Sequence, residues 1–301
     1  MRDEISISLW AYNLGYKISS IQEWLEIVDQ GAMQAIANKS DLLVLPEYIS
    51  EHWLTFMSDN IPLSGEIEWM AGQALVAFPQ VQKIADKYNL SILAGSVPAS
   101  DGIGGFNNRA YLYRPGGTEP IIQNKLCLTP NEKNPDGWCL TPGNDIQIID
   151  FDGVKIAIVI CLDIELPALS AYLAKHAAEL DMILVPSMTE RLSGYSRVFG
   201  CAKARAVELQ IVVCAVGVIG ATPLTPPRPN VSGASVYIPC EELLGNTGIL
   251  HAIDPRGDDT GYGPILHATD IPIAKIRNIR ENLAEVWPGA WTSESLTHTK
   301  A

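Results

Sequence analysis

The chain has 301 residues, 47% hydrophobic and 18% charged, with 21 Lys and Arg against 34 Asp and Glu and a formal net charge of −13. A chain this long can withdraw roughly 75% of its unfolded surface from water, and its apolar content excludes low-complexity disorder. The acidic balance and the lack of any basic run argue against a protein that tracks nucleic-acid phosphates and against docking on an anionic membrane.

Met1-Arg2-Asp3-Glu4 leads straight into alternating apolar residues with no signal-peptide core, and no apolar stretch approaches the roughly 20 residues of a membrane span. A soluble, cytoplasmic protein is the expectation. The six cysteines (Cys127, Cys139, Cys161, Cys201, Cys214, Cys240) form no C-x-x-C pair and the five histidines no H-x-x-x-H, so neither a metal site nor another cofactor is expected. Reduced thiols are expected rather than a disulfide framework.

In chain order, Ile5, Ile7 and Leu9 alternate as a half-buried strand does. Ser20 and Glu23 have capping-box spacing, and Ile21, Trp24, Leu25 and Val28 follow at helical period. Leu42–Leu45 is a short apolar run closed by Pro46, which predicts a strand buried on both faces. A helix over Glu66–Tyr88, a strand at Ile92–Ala94 and a loop at Asp101–Gly105 come next, then strands at Arg109–Tyr113, Pro120–Gln123, Ile146–Asp150 and Val154–Ile160. A helix opening on Pro167 and running to about Glu179, a strand at Met182–Val185, a helix at Val198–Leu209 and a strand at Ile211–Val216 continue the alternation. Such alternation implies helices layered on sheets, an α/β fold. Asp41-Leu-Leu-Val-Leu-Pro46 and Asp181-Met-Ile-Leu-Val-Pro186 share one spacing, which suggests two related half-units. Beyond about Ala221 the text is irregular: Thr222–Pro229 is proline-rich, Gly245–Gly263 reads as loop and Thr292–Ala301 as a polar tail. One domain over 1–275 and a C-terminal extension with the polar tail over 276–301 are expected.

Three reactive side chains occupy equivalent places: Glu47 follows Leu42–Leu45, Lys125 follows Pro120–Gln123 and Cys161 follows Val154–Ile160. Ligands in α/β sheets gather beyond the carboxyl ends of strands, so the three can share one crevice. A thiol needs a base or a nearby cation to become a good nucleophile, and Glu47 and Lys125 are residues of the two required kinds. Each residue alone also has an ordinary structural reading: a packed thiol, a turn-capping carboxylate, a surface ammonium.

The surrounding residues resemble the nitrilase, or carbon–nitrogen hydrolase, superfamily. Asp41-Leu-Leu-Val-Leu-Pro-Glu47-Tyr48 is similar to its glutamate motif, Lys125-Leu-Cys-Leu-Thr-Pro-Asn-Glu132 to its K-x-x-L-T-P-x-E motif, and Cys161-Leu-Asp163-Ile-Glu-Leu-Pro167 to its C-x-D-x-x-x-P motif. Arg205-Ala-Val-Glu208, after Val185-Pro186-Ser187, is similar to a later helix of the family. The resemblance implies a four-layer α-β-β-α sandwich that assembles as a homodimer or larger homo-oligomer and acts on a small-molecule amide-like substrate. It implies Glu47 as general base, Lys125 as oxyanion stabiliser, Cys161 as nucleophile and Glu132 as a second carboxylate positioning Lys125 or the substrate nitrogen. The Leu162 N–H joins Lys125 as an oxyanion donor, Ser187 joins the substrate-binding set, and Trp138 and Tyr195 are expected as pocket walls. Asp163 is expected to hydrogen-bond backbone, and Arg205 and Glu208 to form a structural pair. Leu-Asp after Cys161 departs from the Trp-Glu common in true nitrilases, which points toward the amidase-type branches and hydrolysis of a small amide or N-carbamoyl compound. A nitrilase and a catalytically silent ligand-binding member are the alternatives.

Overall fold

A computed structural model describes residues 2–58, 61–284 and 296–297. The elements in order are β1 (Ile5–Trp10), α1 (Ile21–Ala37), β2 (Leu42–Val44), α2 (Leu63–Tyr88), β3 (Ser91–Ser100), β4 (Phe106–Tyr113), β5 (Ile121–Asn124) and the single turn α3 (Pro130–Lys133). Then follow β6 (Ile149–Phe151), β7 (Val154–Ile158), α4 (Pro167–Lys175), β8 (Met182–Ser187), α5 (Leu192–Leu209), β9 (Val212–Gly217), β10 (Gly220–Thr222), β11 (Arg228–Asn230), β12 (Ser232–Tyr237), β13 (Ile249–Arg256), β14 (Ile265–Ile271) and α6 (Ile273–Asn282). Two six-stranded sheets, ordered β14-β1-β2-β3-β4-β5 and β13-β12-β9-β8-β7-β6, face each other, with α1 and α2 outside the first and α4 and α5 outside the second. This is the expected sandwich.

The continuous apolar run of β2 has a direct structural cause. Leu42 and Val44 enter the core between the sheets, whereas Leu43 and Leu45 enter the core beneath α1 and α2, which also holds Trp24, Trp53 and Phe78. A strand covered on both faces has no polar alternation to display. Ser20 caps α1 by accepting the Glu23 N–H at 3.2 Å, and Trp24, Leu25 and Val28 form its buried stripe.

The two Asp-to-Pro segments are the central strands of two parallel trios, β1-β2-β3 and β7-β8-β9. Their aspartates make the same clasp. Asp41 Oδ2 accepts the Ser6 N–H (2.8 Å) and Asp181 Oδ2 the Lys155 N–H (2.7 Å), in each case from the neighbouring parallel strand. Each also pairs with an arginine, Arg2 for Asp41 and Arg277 for Asp181, both at 2.5 Å.

Several boundaries move. Residues 249–256, within the stretch expected as loop, form the edge strand β13, none of whose side chains is fully buried and which carries no regular apolar alternation. The proline-rich stretch contributes β10 and β11, a two-stranded antiparallel ladder. Helix α5 starts at Leu192 rather than Val198, and the segment opening on Pro167 divides into α4 and a 3₁₀ turn at Ala177–Glu179. The boundary expected between 275 and 276 falls inside α6, which buries Ile273, Ile276 and Ile279 and carries Arg277 to Asp181. Apart from Leu296 and Thr297, the expected polar tail lies outside the described residues. No helix among the described residues is long and apolar enough to cross a membrane.

Candidate active site

Glu47 stands three residues past β2, at a sharp change of direction. Tyr48 after it has φ +50°, and its N–H is held by Ser96 Oγ at 3.2 Å. The turn packs against an irregularity in β3, where Gly95 has φ +70° and a Cβ would lie 2.0 Å from the Pro46 carbonyl oxygen. Only glycine admits that approach. Cys161 sits equivalently past β7, opening a 3₁₀ turn with φ +49°, a conformation that costs a non-glycine residue about 1–2 kcal/mol and lifts its side chain off the strand end. Lys125 follows β5, its N–H bonded to the Asn108 carbonyl at 2.8 Å.

These strand ends converge. The Lys125 ammonium donates to Glu47 Oε1 at 2.8 Å and to both oxygens of Glu132 at 2.9 and 2.8 Å, and all three residues are at most 2% exposed. Glu132 is fixed by local chemistry: Thr129 and Glu132 form a capping box around Pro130 at the start of α3, with the Thr129 N–H on Glu132 Oε2 at 2.8 Å. Tyr48 donates its hydroxyl to Glu132 Oε1 at 2.5 Å. Glu47 receives the Met188 N–H on Oε2 at 2.9 Å, and the Asn108 amide bridges Glu47 Oε1 (2.8 Å) and Glu132 Oε1 (3.2 Å). The Cys161 thiol donates to the Met188 carbonyl at 3.5 Å and makes a side-chain contact with Glu47. Asp163 accepts the N–H groups of Leu126 (3.0 Å) and Cys127 (2.7 Å), tying the cysteine turn to the lysine loop.

The electrostatics divide the two carboxylates. Burial pushes the Glu47 carboxyl above its ordinary range, against the opposing pull of Lys125. Burial also acts to raise Glu132, but the Lys125 charge and its hydrogen bonds outweigh it and hold Glu132 below that range. For Lys125, burial acts to lower the pKa and is overcome by the charges of Glu47 and Glu132, so it stays protonated. Burial and the Glu47 charge push the Cys161 thiol well up. Two carboxylates driven apart in this way differ in what they can do: Glu47 is able to take up a proton, whereas Glu132 stays charged beside Lys125. Among the described residues no group of three His, Cys, Asp or Glu is arranged to hold a metal ion.

The sequence model of the carbon-nitrogen hydrolase family matches residues 11–259. The chain belongs to the carbon-nitrogen hydrolase family. It is 30% identical over 272 residues to the probable hydrolase YhcX of Bacillus subtilis (strain 168), across 88% of this chain and 50% of that one. It is 28% identical over 255 residues to an (R)-stereoselective amidase of a Pseudomonas species, covering 83% of this chain and 80% of that one. The chain thus spans only about half the length of the first of these relatives. The fold matches the crystal structure of an amidase from Nesterenkonia sp. with a TM-score of 0.66 at 20% identity, over 94% of this chain and 96% of that one.

In this member of the family Glu47, Lys125, Glu132 and Cys161 border a cavity of about 1210 Å³, which Leu162 and Trp138 also line, Trp138 packing edge-on against Tyr48 at 4.9 Å. Ser187 and Tyr195 are not among its lining residues. Ser187 is fully buried and donates to the Val185 carbonyl at 3.3 Å, and it is Met188, just past the end of β8, that lines the cavity. Tyr195 lies in the first turns of α5, not in a loop, and packs at a tilt on Phe199, ring centroids 4.2 Å apart, against the core. Arg205 and Glu208 pair at 2.9 Å on α5. Asn108 and the Met188 backbone are the partners the motifs do not mark. The sole signal for Asn108 is an asparagine fully buried in a strand, since buried amides need partners.

Proposed function

We propose that this carbon-nitrogen hydrolase cleaves a small amide or N-carbamoyl compound through a cysteine thioester, with Glu47 as base, Cys161 as nucleophile and Lys125 as oxyanion stabiliser. The observation that carries the reading is the buried convergence of Lys125 with two carboxylates of opposite titration behaviour beside one thiol. Glu47 takes the thiol proton as Sγ attacks the carbonyl carbon. The negative oxygen is received by the Lys125 ammonium and the Leu162 N–H. Glu47 returns the proton to the departing nitrogen, the C–N bond breaks, and ammonia or an amine leaves. Glu47 then deprotonates water, which attacks the thioester and frees the acid and the thiol. Glu132 keeps Lys125 charged and aimed throughout.

The test offers the purified protein chain-matched amide, N-carbamoyl and nitrile compounds, with ammonia assay and intact-mass analysis of quenched samples. Ammonia from the amide or carbamoyl compound, with an acyl adduct confined to Cys161, is the expected result. Turnover of the nitrile alone, or hydrolysis in which no adduct forms at Cys161, would overturn the reading.

A further inference from the structure

One buried side chain outside the triad touches every charged member of the cluster. Asn108 is the third residue of β4, a strand that lies between β3 and β5 inside its sheet, and it is fully buried. Asparagine is depleted in strands, and a covered position there ordinarily takes an apolar residue. The Asn108 amide nitrogen gives its two hydrogens to the two carboxylates, at 2.8 Å to Glu47 Oε1 and 3.2 Å to Glu132 Oε1. Its main-chain carbonyl accepts the Lys125 N–H at 2.8 Å. Its Oδ1 is buried and has no hydrogen-bond partner among the described residues. An acceptor left in that state opposes folding, and reversing the amide would set Oδ1 against two carboxylate oxygens. The carboxylates therefore fix the orientation of Asn108, and its contribution lies in what it does to them.

The acceptor positions on Glu47 show that contribution. Each carboxylate oxygen offers about two. Oε1 receives the Lys125 ammonium and the Asn108 amide, both at 2.8 Å, and is filled. Oε2 receives the Met188 N–H at 2.9 Å and keeps one position open, and the Glu47 side chain contacts the Cys161 thiol. Without Asn108, an open position would appear on Oε1 beside Lys125. Glu47 would also lose a donor that favours its charged form, while burial already pushes its carboxyl up.

We infer that Asn108 is the positioning residue of the base: by filling Glu47 Oε1 it directs the Cys161 proton to Oε2 and favours the carboxylate form that accepts it. This rests on Glu47 acting as base toward Cys161 and adds the group that selects which oxygen does so.

The test follows alkylation of Cys161 by iodoacetamide, read by peptide mass analysis from mild acid to mild alkali, in wild type, Glu47→Gln, Asn108→Leu and Asn108→Asp, with a thermal melt of each protein. In wild type the rate is expected to rise with pH along a limb that Glu47→Gln abolishes. Asn108→Leu, close in size but without a donor, should move that limb up by about one pH unit, so that the rate below it falls about tenfold. Asn108→Asp keeps the shape and adds a negative charge once ionised, so its limb should move further in the same direction. That order follows the charge around Glu47, which lost packing alone does not produce, and the Asp variant carries the test if the Leu variant does not fold. On an accepted amide, kcat should fall with the same pH shift while KM stays within about threefold. A limb that stays in place or moves down in these variants, whatever their melting temperatures, overturns the inference. Wild-type alkylation indifferent to Glu47→Gln overturns it together with the base role of Glu47. The expected shifts without any turnover of amide or carbamoyl compounds leave this inference standing and remove the hydrolytic one.

Discussion

Cys161→Ala is expected to lower kcat/KM on any accepted amide by about 10⁴-fold or more while leaving the melting temperature within a few degrees of wild type. The asymmetry follows from where the thiol sits. Its Sγ donates to the Met188 carbonyl, contacts the Glu47 side chain and borders the cavity, and the substitution removes a single heavy atom, so it vacates little packed volume. Alanine also keeps the left-handed backbone at φ +49°, neither adding nor relieving strain. On the proposed mechanism, chemistry in contrast loses its route to a covalent intermediate, because Glu47 and Lys125 would have no thiol to activate. Matched steady-state kinetics and thermal melts decide the point. A variant retaining more than about one part in a hundred of wild-type turnover would make Cys161 a bystander.

Lys125→Met is expected to fail in both respects. Its ammonium pairs with two carboxylates that are at most 2% exposed, and removing one partner of a buried ion cluster typically costs about 3–5 kcal/mol. Loss of an oxyanion donor should also reduce kcat by about 10²–10³. The stability deficit carries a pH signature. Without the cation, Glu132 loses the interaction that holds it below the ordinary carboxylate range, and burial raises both carboxyls above it. Groups raised in the folded state contribute stability at low pH and lose it as pH rises through their folded pKa values. The gap between wild type and Lys125→Met should therefore be smallest in mild acid and widen toward neutrality in denaturant titrations. Adding Glu132→Gln should recover part of it, and a pH-independent deficit would mean that lost packing rather than charge explains the effect.

What the sequence disclosed depended on how strongly each feature is coupled to its local neighbours. Strand β2 was legible because burial on both faces removes polar residues from a short run, and α1 because Ser20 and Glu23 cap it within one turn. Periodicity placed Glu47, Lys125 and Cys161 at strand ends, but only the motif resemblance assigned them roles. The partners of the cluster are different in kind. Asn108 reaches Glu47 from a strand 61 residues away, and the Met188 N–H arrives from 141 residues away, contacts that no window of sequence contains. Tyr195 was misplaced for a local reason. The weakly apolar first turns of α5 read as loop, whereas the helix turns Tyr195 toward Phe199 and the core. Strand β13, at a sheet edge with no fully buried side chain, has little burial to report.

The rest state of Cys161 bears on how long such a protein survives under oxidative stress. Peroxides and other electrophiles attack thiolates, and here burial and the neighbouring carboxylate hold the sulfur as a thiol. Cys139 and Cys240 are exposed, whereas Cys161 is buried at its strand end. Sulfenic acid should consequently accumulate on those two surface cysteines before it reaches Cys161, so chemical ageing would mark the outside of the molecule while its turnover persists.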